Sequence, residues 1–228
     1  MFKVSAIIPA AGSGSRFGEE KQFKVLKGNP LWTYTLKPFI NSNLINELIF
    51  VLPEKSIRII ESSKAYKLIS KKKEIKLVPG GSKRKDSVLN GLLSAKKTNN
   101  LVCIHDVARP LIKESLIDKT INGCKGFDGC ILALPSTDTV KIVDENIVYS
   151  TIDRSTVWMV QTPQAFWKDK LLKAYRKHGT VEVTDDSTLM ELMGFSIKVI
   201  NGDINNLKIT SKIDLAIAKI IMEKNTHD

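Results

Sequence analysis

Apolar residues in this chain fall into short unbroken runs, separated by longer stretches in which they recur every third or fourth position. The runs at 4–9, 47–52, 75–78, 101–104, 129–135 and 196–200 end in proline or are followed by polar, glycine or proline residues, which predicts strands buried on both faces. Helical spacing appears at 30–36, where Pro30 suits a first turn. It recurs at 54–69 through Ile57, Ile60, Ala65 and Leu68, and again at 87–95, 115–125, 168–177 and 211–223. Thr184, ahead of Asp185 and Asp186, reads as the N-cap of a further helix, and 161–166 reads as a turn entering the helix at 168. Strand and helix alternate, so the chain predicts an α/β fold with a mostly parallel sheet and helices on both of its faces.

One segment breaks that alternation. Residues 139–143, the turn Asp144-Glu145-Asn146 and residues 147–150 read as a β-hairpin. An isolated two-stranded hairpin is marginal in water, and its apolar residues need cover. A second copy of the chain is the simplest source, so an arm at 136–155 is predicted to project from a single domain spanning 1–228 and to make a homodimer. The alternative is a hairpin folded back on its own domain.

The first strand empties into Ala10-Ala11-Gly12-Ser13-Gly14-Ser15-Arg16-Phe17-Gly18, with Lys21-Gln22 beyond. Small residues and glycines such as Gly12 and Gly14 let backbone N–H groups approach a phosphate closely. The glycine spacing excludes a dinucleotide-binding fingerprint, and no Gly-Lys-Ser/Thr follows at Walker A distance. Arg16 and Lys21 add more positive charge than binding alone requires, which points to phosphate chemistry. Two other strand ends are polar as well: Gly81-Ser82-Lys83-Arg84-Lys85-Asp86-Ser87, and His105-Asp106-Val107-Ala108-Arg109-Pro110. Asp106 and Arg109 either form a local ion pair or belong to a ligand site, and their place at a strand end favours the site. Lys208 lies inside an apolar stretch and reads by default as a surface lysine.

Composition narrows the partners. The 228 residues are 43% hydrophobic, with a formal net charge of +11, enough for one α/β domain with a substantial core. No apolar run approaches the roughly 20 residues of a membrane span, and residues 1–9 lead straight into a strand without a signal-peptide pattern, so a cytoplasmic protein with no membrane partner is expected. Cys103, Cys124 and Cys130 lack metal-ligand spacing and read as reduced core residues. The lysine run at 71–76 has no interleaved aromatics and reads as a solvated face. Small anionic substrates account for the remaining charge without invoking nucleic acid.

The ordered set Pro9-Ala10-Ala11-Gly12 with Arg16 and Lys21-Gln22, Gly80-Gly81 with Arg84 and Ser87-Val88, His105-Asp106 with Arg109-Pro110, Asp138-Thr139, Asp153-Arg154, Gln161-Thr162-Pro163-Gln164, Thr184-Asp185 and Asn206-Leu207-Lys208-Ile209-Thr210 resembles the 2-C-methyl-D-erythritol 4-phosphate cytidylyltransferase family of the non-mevalonate isoprenoid pathway, over nearly the whole chain. The resemblance implies a Rossmann-like fold and attack of the methylerythritol phosphate on the α-phosphorus of CTP, with Mg2+ carried on the nucleotide phosphates. It implies that Arg16, Lys21 and Lys208 act on the triphosphate as catalytic residues. Ala10, Ala11, Gly81 and Ser87 would enclose the cytosine, Gly12, Gly14 and Arg84 would complete the nucleotide side, and Asp106 would face the ribose and metal region. Arg109, Thr184 and Asp185 would meet the acceptor, joined by Thr139 and Arg154 from the neighbouring subunit. Ser82 stands where an acid often follows the second glycine, and Val107 where alanine is usual. Two other readings remain: ribitol-5-phosphate cytidylyltransferase, which tends to open with Leu-Ala-Gly-Gly, and a non-catalytic nucleotide-binding module.

Overall fold

The computed structural model describes residues 2–12 and 21–224, apart from the side chain of Lys21. The chain runs through β1 (Val4–Pro9), the short pair β2 (Val25–Leu26) and β3 (Asn29–Pro30), α1 (Leu31–Asn41), β4 (Ile45–Leu52), α2 (Glu54–Ser62), α3 (Lys64–Ile69), β5 (Ile75–Pro79), α4 (Arg84–Ser94) and β6 (Leu101–Ile104). It continues through α5 (Glu114–Gly123), β7 (Gly129–Pro135), β8 (Val140–Asp144), β9 (Ile147–Ile152), β10 (Trp158–Trp167), α6 (Lys168–His178), α7 (Asp186–Glu191), β11 (Ile197–Asn201) and α8 (Lys212–Lys224). Seven strands form one sheet in the order β11-β7-β10-β6-β1-β4-β5. All pair in parallel except β10, which runs antiparallel to β6 and β7.

Alternation along the central strands sorts the core into two layers. Ala6 and Ile8 of β1 join Leu48, Phe50 and Leu52 of β4 under α1 and α5, with Trp32, Phe39, Ile117 and Ile121 against them. Ile7, Ile49 and Val51 point the other way, towards Val88 and Leu92 of α4, Leu171 and Tyr175 of α6, and Leu189 and Met190 of α7. Both faces of the sheet are therefore dry, and its ends are left for chemistry. The three cysteines are free and buried, as expected. Among the described residues no helix is long and apolar enough to cross a membrane.

Four sequence readings change. The helix expected at 54–69 is two, because Ser63 is extended (φ −67°, ψ 143°) and its side chain accepts from the Tyr66 N–H to start α3. Residues 161–166 are not a turn but the middle of β10, where the pairing with β7 skips from Gln161 to Gln164 around the cis Thr162–Pro163 bond; proline has no N–H to give the ladder. The cap of α7 is Asp185, whose carboxylate accepts from Thr188 N–H, rather than Thr184. Lys73 is not part of a solvated face: its ammonium donates to the carbonyls of Phe39 (3.2 Å) and Ser42 (2.5 Å), satisfying carbonyls that the end of α1 leaves without helical partners.

The hairpin β8–β9 forms its own two-stranded sheet. Its turn places Glu145 (φ 44°) and Asn146 (φ 67°) in the left-handed region, the geometry that suits the strand twist of a tight hairpin. Ile147 is 72% exposed and Tyr149 80%, with Ile142, Val143 and Val148 also exposed. Among the described residues nothing covers these apolar side chains of the arm.

Candidate active site

The parallel strands β1, β5 and β6 end on the same edge of the sheet, and their loops meet there. Gly80 N–H donates to the Leu52 carbonyl (2.8 Å), and a Cβ on Gly80 would lie 2.2 Å from the Ala11 Cβ and 2.9 Å from the Ser87 Oγ. Only glycine permits that approach. Gly81 N–H donates to Ser87 Oγ (3.1 Å), so Ala11, Gly81 and Ser87 share one corner, beside Ala10, whose N–H is bonded to Val51 (2.7 Å). Gly12 accepts at its carbonyl from Gln22 (3.4 Å). Gly14, Arg16 and the side chain of Lys21 lie outside the described residues. Ser82 and the Lys83 N–H both bond to Asp86 Oδ2 (2.8 and 3.0 Å), which closes the first turn of α4.

Asp106, just past β6, is the electrostatic centre. Its Oδ1 accepts from Arg84 Nε (2.9 Å) and its Oδ2 from Lys208 Nζ (2.6 Å). Burial pushes the Asp106 carboxyl up, but Arg84 and Lys208 together outweigh it and hold the group well below the usual carboxylate range. Arg84 is shared: its Nη1 donates to Asp186 Oδ2 (2.9 Å), whose Oδ1 accepts from the Tyr175 hydroxyl (2.7 Å). Burial works against the Arg84 charge, yet Asp186 and Asp106 raise its pKa above the ordinary value. The local ion pair considered between Asp106 and Arg109 is not what holds Arg109: its Nη1 donates to the Asn206 carbonyl (2.7 Å), and its buried Nε has no hydrogen-bond partner among the described residues.

His105 keeps this turn in place. The imidazole is fully buried against the Phe39 ring, with Nε2 3.1 Å from the Arg109 carbonyl and Nδ1 3.1 Å from Thr162 Oγ1. A carbonyl only accepts, so Nε2 carries the proton and Nδ1 accepts from the Thr162 hydroxyl. That hydroxyl oxygen in turn accepts from the Asp106 N–H (3.0 Å). Burial lowers the His105 pKa to about 4, so the ring is neutral and sealed, unsuited to act as a catalytic base. Lys208 is fixed by its neighbours: Asn206 Nδ2 donates to Gln161 Oε1 (3.2 Å) and the Thr162 carbonyl (2.9 Å), and Ile209 N–H donates to Ala108 (2.8 Å).

Arg84, Asp106, Arg109, Thr162 and Lys208 help to line a cleft of ≈ 360 Å³, which Ala10, Ala11, Gly81 and Ser87 do not line. Its lining combines Arg84, Arg109 and Lys208 with the acids Asp106, Asp185 and Glu191, and adds the amides and hydroxyls of Gln161, Thr162, Gln164, Thr184 and Thr188. Asp185 is fully engaged, accepting from Thr188 N–H and Oγ1 on one oxygen and from Gln164 Nε2 and Ser187 Oγ on the other. Thr139 and Arg154 are exposed at the base of the arm and do not line the cleft of their own chain; Arg154 donates to the Thr137 carbonyl (3.0 Å). Beyond the helix-start reading of Asp186, the sequence assigned no individual role to Asp186, Gln164, Asn206 or the His105–Thr162 pair. Only the doubled acid at 185–186 was a signal for the first of them. The arrangement offers cations to a phosphate and hydroxyls and amides to a polyol.

The family model described as 2-C-methyl-D-erythritol 4-phosphate cytidylyltransferase matches residues 4–224. Curated proteins of that name are similar over nearly their full lengths. The one from Alkaliphilus oremlandii is 38% identical over 97% of this chain and 95% of its own, and the one from Clostridium acetobutylicum is 40% identical over 97% and 98%. The crystal structure of 4-diphosphocytidyl-2C-methyl-D-erythritol synthase from Anaerococcus prevotii superposes with a TM-score of 0.85 at 34% identity, covering 97% of this chain and 99% of that one.

Proposed function

The chain belongs to the 2-C-methyl-D-erythritol 4-phosphate cytidylyltransferase family, and from that premise we propose that it joins CTP to 2-C-methyl-D-erythritol 4-phosphate, releasing pyrophosphate. An oxygen of the acceptor phosphate forms a bond to the α-phosphorus of CTP as the bond from that phosphorus to the β-phosphate bridging oxygen breaks. The leaving electron pair stays on pyrophosphate. A phosphate is already a nucleophile at neutral pH, so the protein must neutralise charge and hold two anions in line. The observation that carries the reading is the convergence of Arg84, Arg109 and Lys208 on one cleft at the ends of the parallel strands.

In this reading Lys208, with Arg16 and Lys21 from the glycine loop, stabilises the charge that grows on the triphosphate. Ala10, Ala11, Gly81 and Ser87 form the cytosine corner, and Gly12 and Gly14 offer backbone N–H groups to phosphate. Arg84 acts through Asp106 and Asp186 rather than on the nucleotide directly, because both of its described bonds go to those carboxylates. Arg109 and Thr184 bind the acceptor, and Asp185 shapes that wall as a helix cap. Among the described residues no three acidic, histidine or cysteine side chains come together to hold a metal, and Asp106 already has a cation on each oxygen. In this reading Mg2+ arrives on the triphosphate, where it would help neutralise the phosphate oxygens. The exposed arm supports a homodimer in which Thr139 and Arg154 reach the partner's cleft.

Pyrophosphate release tests the reading. With Mg2+, CTP and methylerythritol phosphate it is expected to be fast, and to fall to background with UTP or ATP as donor or ribitol 5-phosphate as acceptor. Release with ribitol 5-phosphate alone would assign the other acceptor; none with either would leave a nucleotide-binding module.

A further inference from the structure

Three consecutive basic residues at the start of α4, Lys83, Arg84 and Lys85, all reach one neighbour, the irregular segment 179–185 that follows α6 and the first residue of α7. Arg84 takes Asp186. Lys83 pairs with Glu182, with both side chains largely exposed. Lys85 differs from Lys83: its side chain is only 12% exposed, and its ammonium donates to the Gly179 and Val181 carbonyls at 3.0 Å each, 3.6 Å from the Glu182 carboxylate. The Tyr175 hydroxyl closes the ring, lying 3.3 Å from the Lys85 carbonyl and 2.7 Å from Asp186 Oδ1. Gly179 caps α6 and Val181 lies two residues past the cap, so both carbonyls fall outside the helix's own hydrogen-bond ladder. A buried cation between two of them satisfies both and complements the helix dipole.

Three residues beyond Val181, the same segment delivers Thr184 to the cleft wall. From its other side, the first turn of α4 presents Ser87, which holds the Gly81 N–H. Lys85 therefore ties the corner formed by Gly80, Gly81 and Ser87 to the wall formed by Thr184 and Asp185. We propose that Lys85 is a positioning residue for the acceptor substrate, fixing the 179–185 segment so that Thr184 stands ready in the cleft before the acceptor arrives. The inference rests on the cytidylyltransferase reading of the cleft. Its physical content is pre-organisation: without the tether the segment must be ordered at the moment of binding, and that cost falls on the acceptor alone.

The test compares the full-length protein with Lys85→Met, which keeps the stem and removes the charge, and with Lys85→Arg and Lys83→Ala. Steady-state pyrophosphate release is measured against each substrate, together with hydrogen exchange of peptides covering 179–186. Lys85→Met is expected to raise the acceptor KM by about tenfold, to leave the CTP KM within about twofold, and to speed exchange in 180–185 by about tenfold or more. Lys85→Arg should restore most of both, and Lys83→Ala should stay within about twofold of the parent. An unchanged acceptor KM, or a fall in kcat with both KM values unmoved, overturns the proposal, since a loss of folded protein alone would do that. If the parent protein releases no pyrophosphate, it is the functional reading that fails. Exchange then still decides the tether, and unchanged protection in Lys85→Met overturns it.

Discussion

Asp106 and His105 are adjacent in sequence and opposite in electrical character. Asp106 is held charged by Arg84 and Lys208, whereas His105 is held neutral by burial, with a pKa of about 4 against the ordinary 6.5. Their effects on stability separate by pH. A depressed carboxyl contributes stability that is intact above its ordinary value of 3.8 and is lost as pH falls below it. For His105 the unfolded chain binds the extra proton between pH 6.5 and 4, so stability falls as pH drops through that window, by about 3 kcal/mol in all. Urea unfolding at a series of pH values should show this slope in the parent and a flatter one in His105→Gln. An equal slope in both would contradict the buried neutral ring. The residues of this turn were legible as a charged cluster at a strand end, but their partners were not. Asp186 and Thr162 lie far along the chain and meet Arg84 and His105 only through the fold.

Among the elements, the loops after β1 and β5 depend on a backbone approach that no side chain tolerates. Gly80→Ala places a Cβ against Ala11, and overpacking of this kind costs about 1–3 kcal/mol. Thermal unfolding and turnover should both fall. The double variant Gly80→Ala with Ala11→Gly should recover much of the loss, because it removes the other half of the 2.2 Å clash; no recovery would place the constraint elsewhere. The parallel strands were readable because burial on both faces leaves continuous apolar runs. β10 was not, because Gln161, Thr162, Pro163 and Gln164 carry the composition of a turn in the middle of a buried strand. Those polar side chains are tolerated because they have partners: Gln161 accepts from Asn206, the Thr162 hydroxyl meets His105 and the Asp106 N–H, and Gln164 donates to Asp185. A strand built to present polar groups to a cleft loses the apolar pattern that would reveal it.

For the whole molecule, Arg154 and Thr139 lie at the base of an uncovered apolar arm while Lys208 and Asp106 lie in the cleft of the main sheet. The hairpin was legible from its own strands and turn, whereas a single chain's sequence carries no signal of which surface covers it. If cytidylyl transfer takes place in the Asp106 cleft and needs the partner's arm, the two halves of one site lie on different chains. Lys208→Ala and Arg154→Ala should each be nearly inactive alone in pyrophosphate release at subsaturating acceptor. When the two variants are unfolded together, refolded and assayed as an equal mixture, the account predicts recovery to about a quarter of parent activity, because half of the dimers are mixed and each mixed dimer keeps one intact site. Activity no higher than that of the separate variants would contradict it.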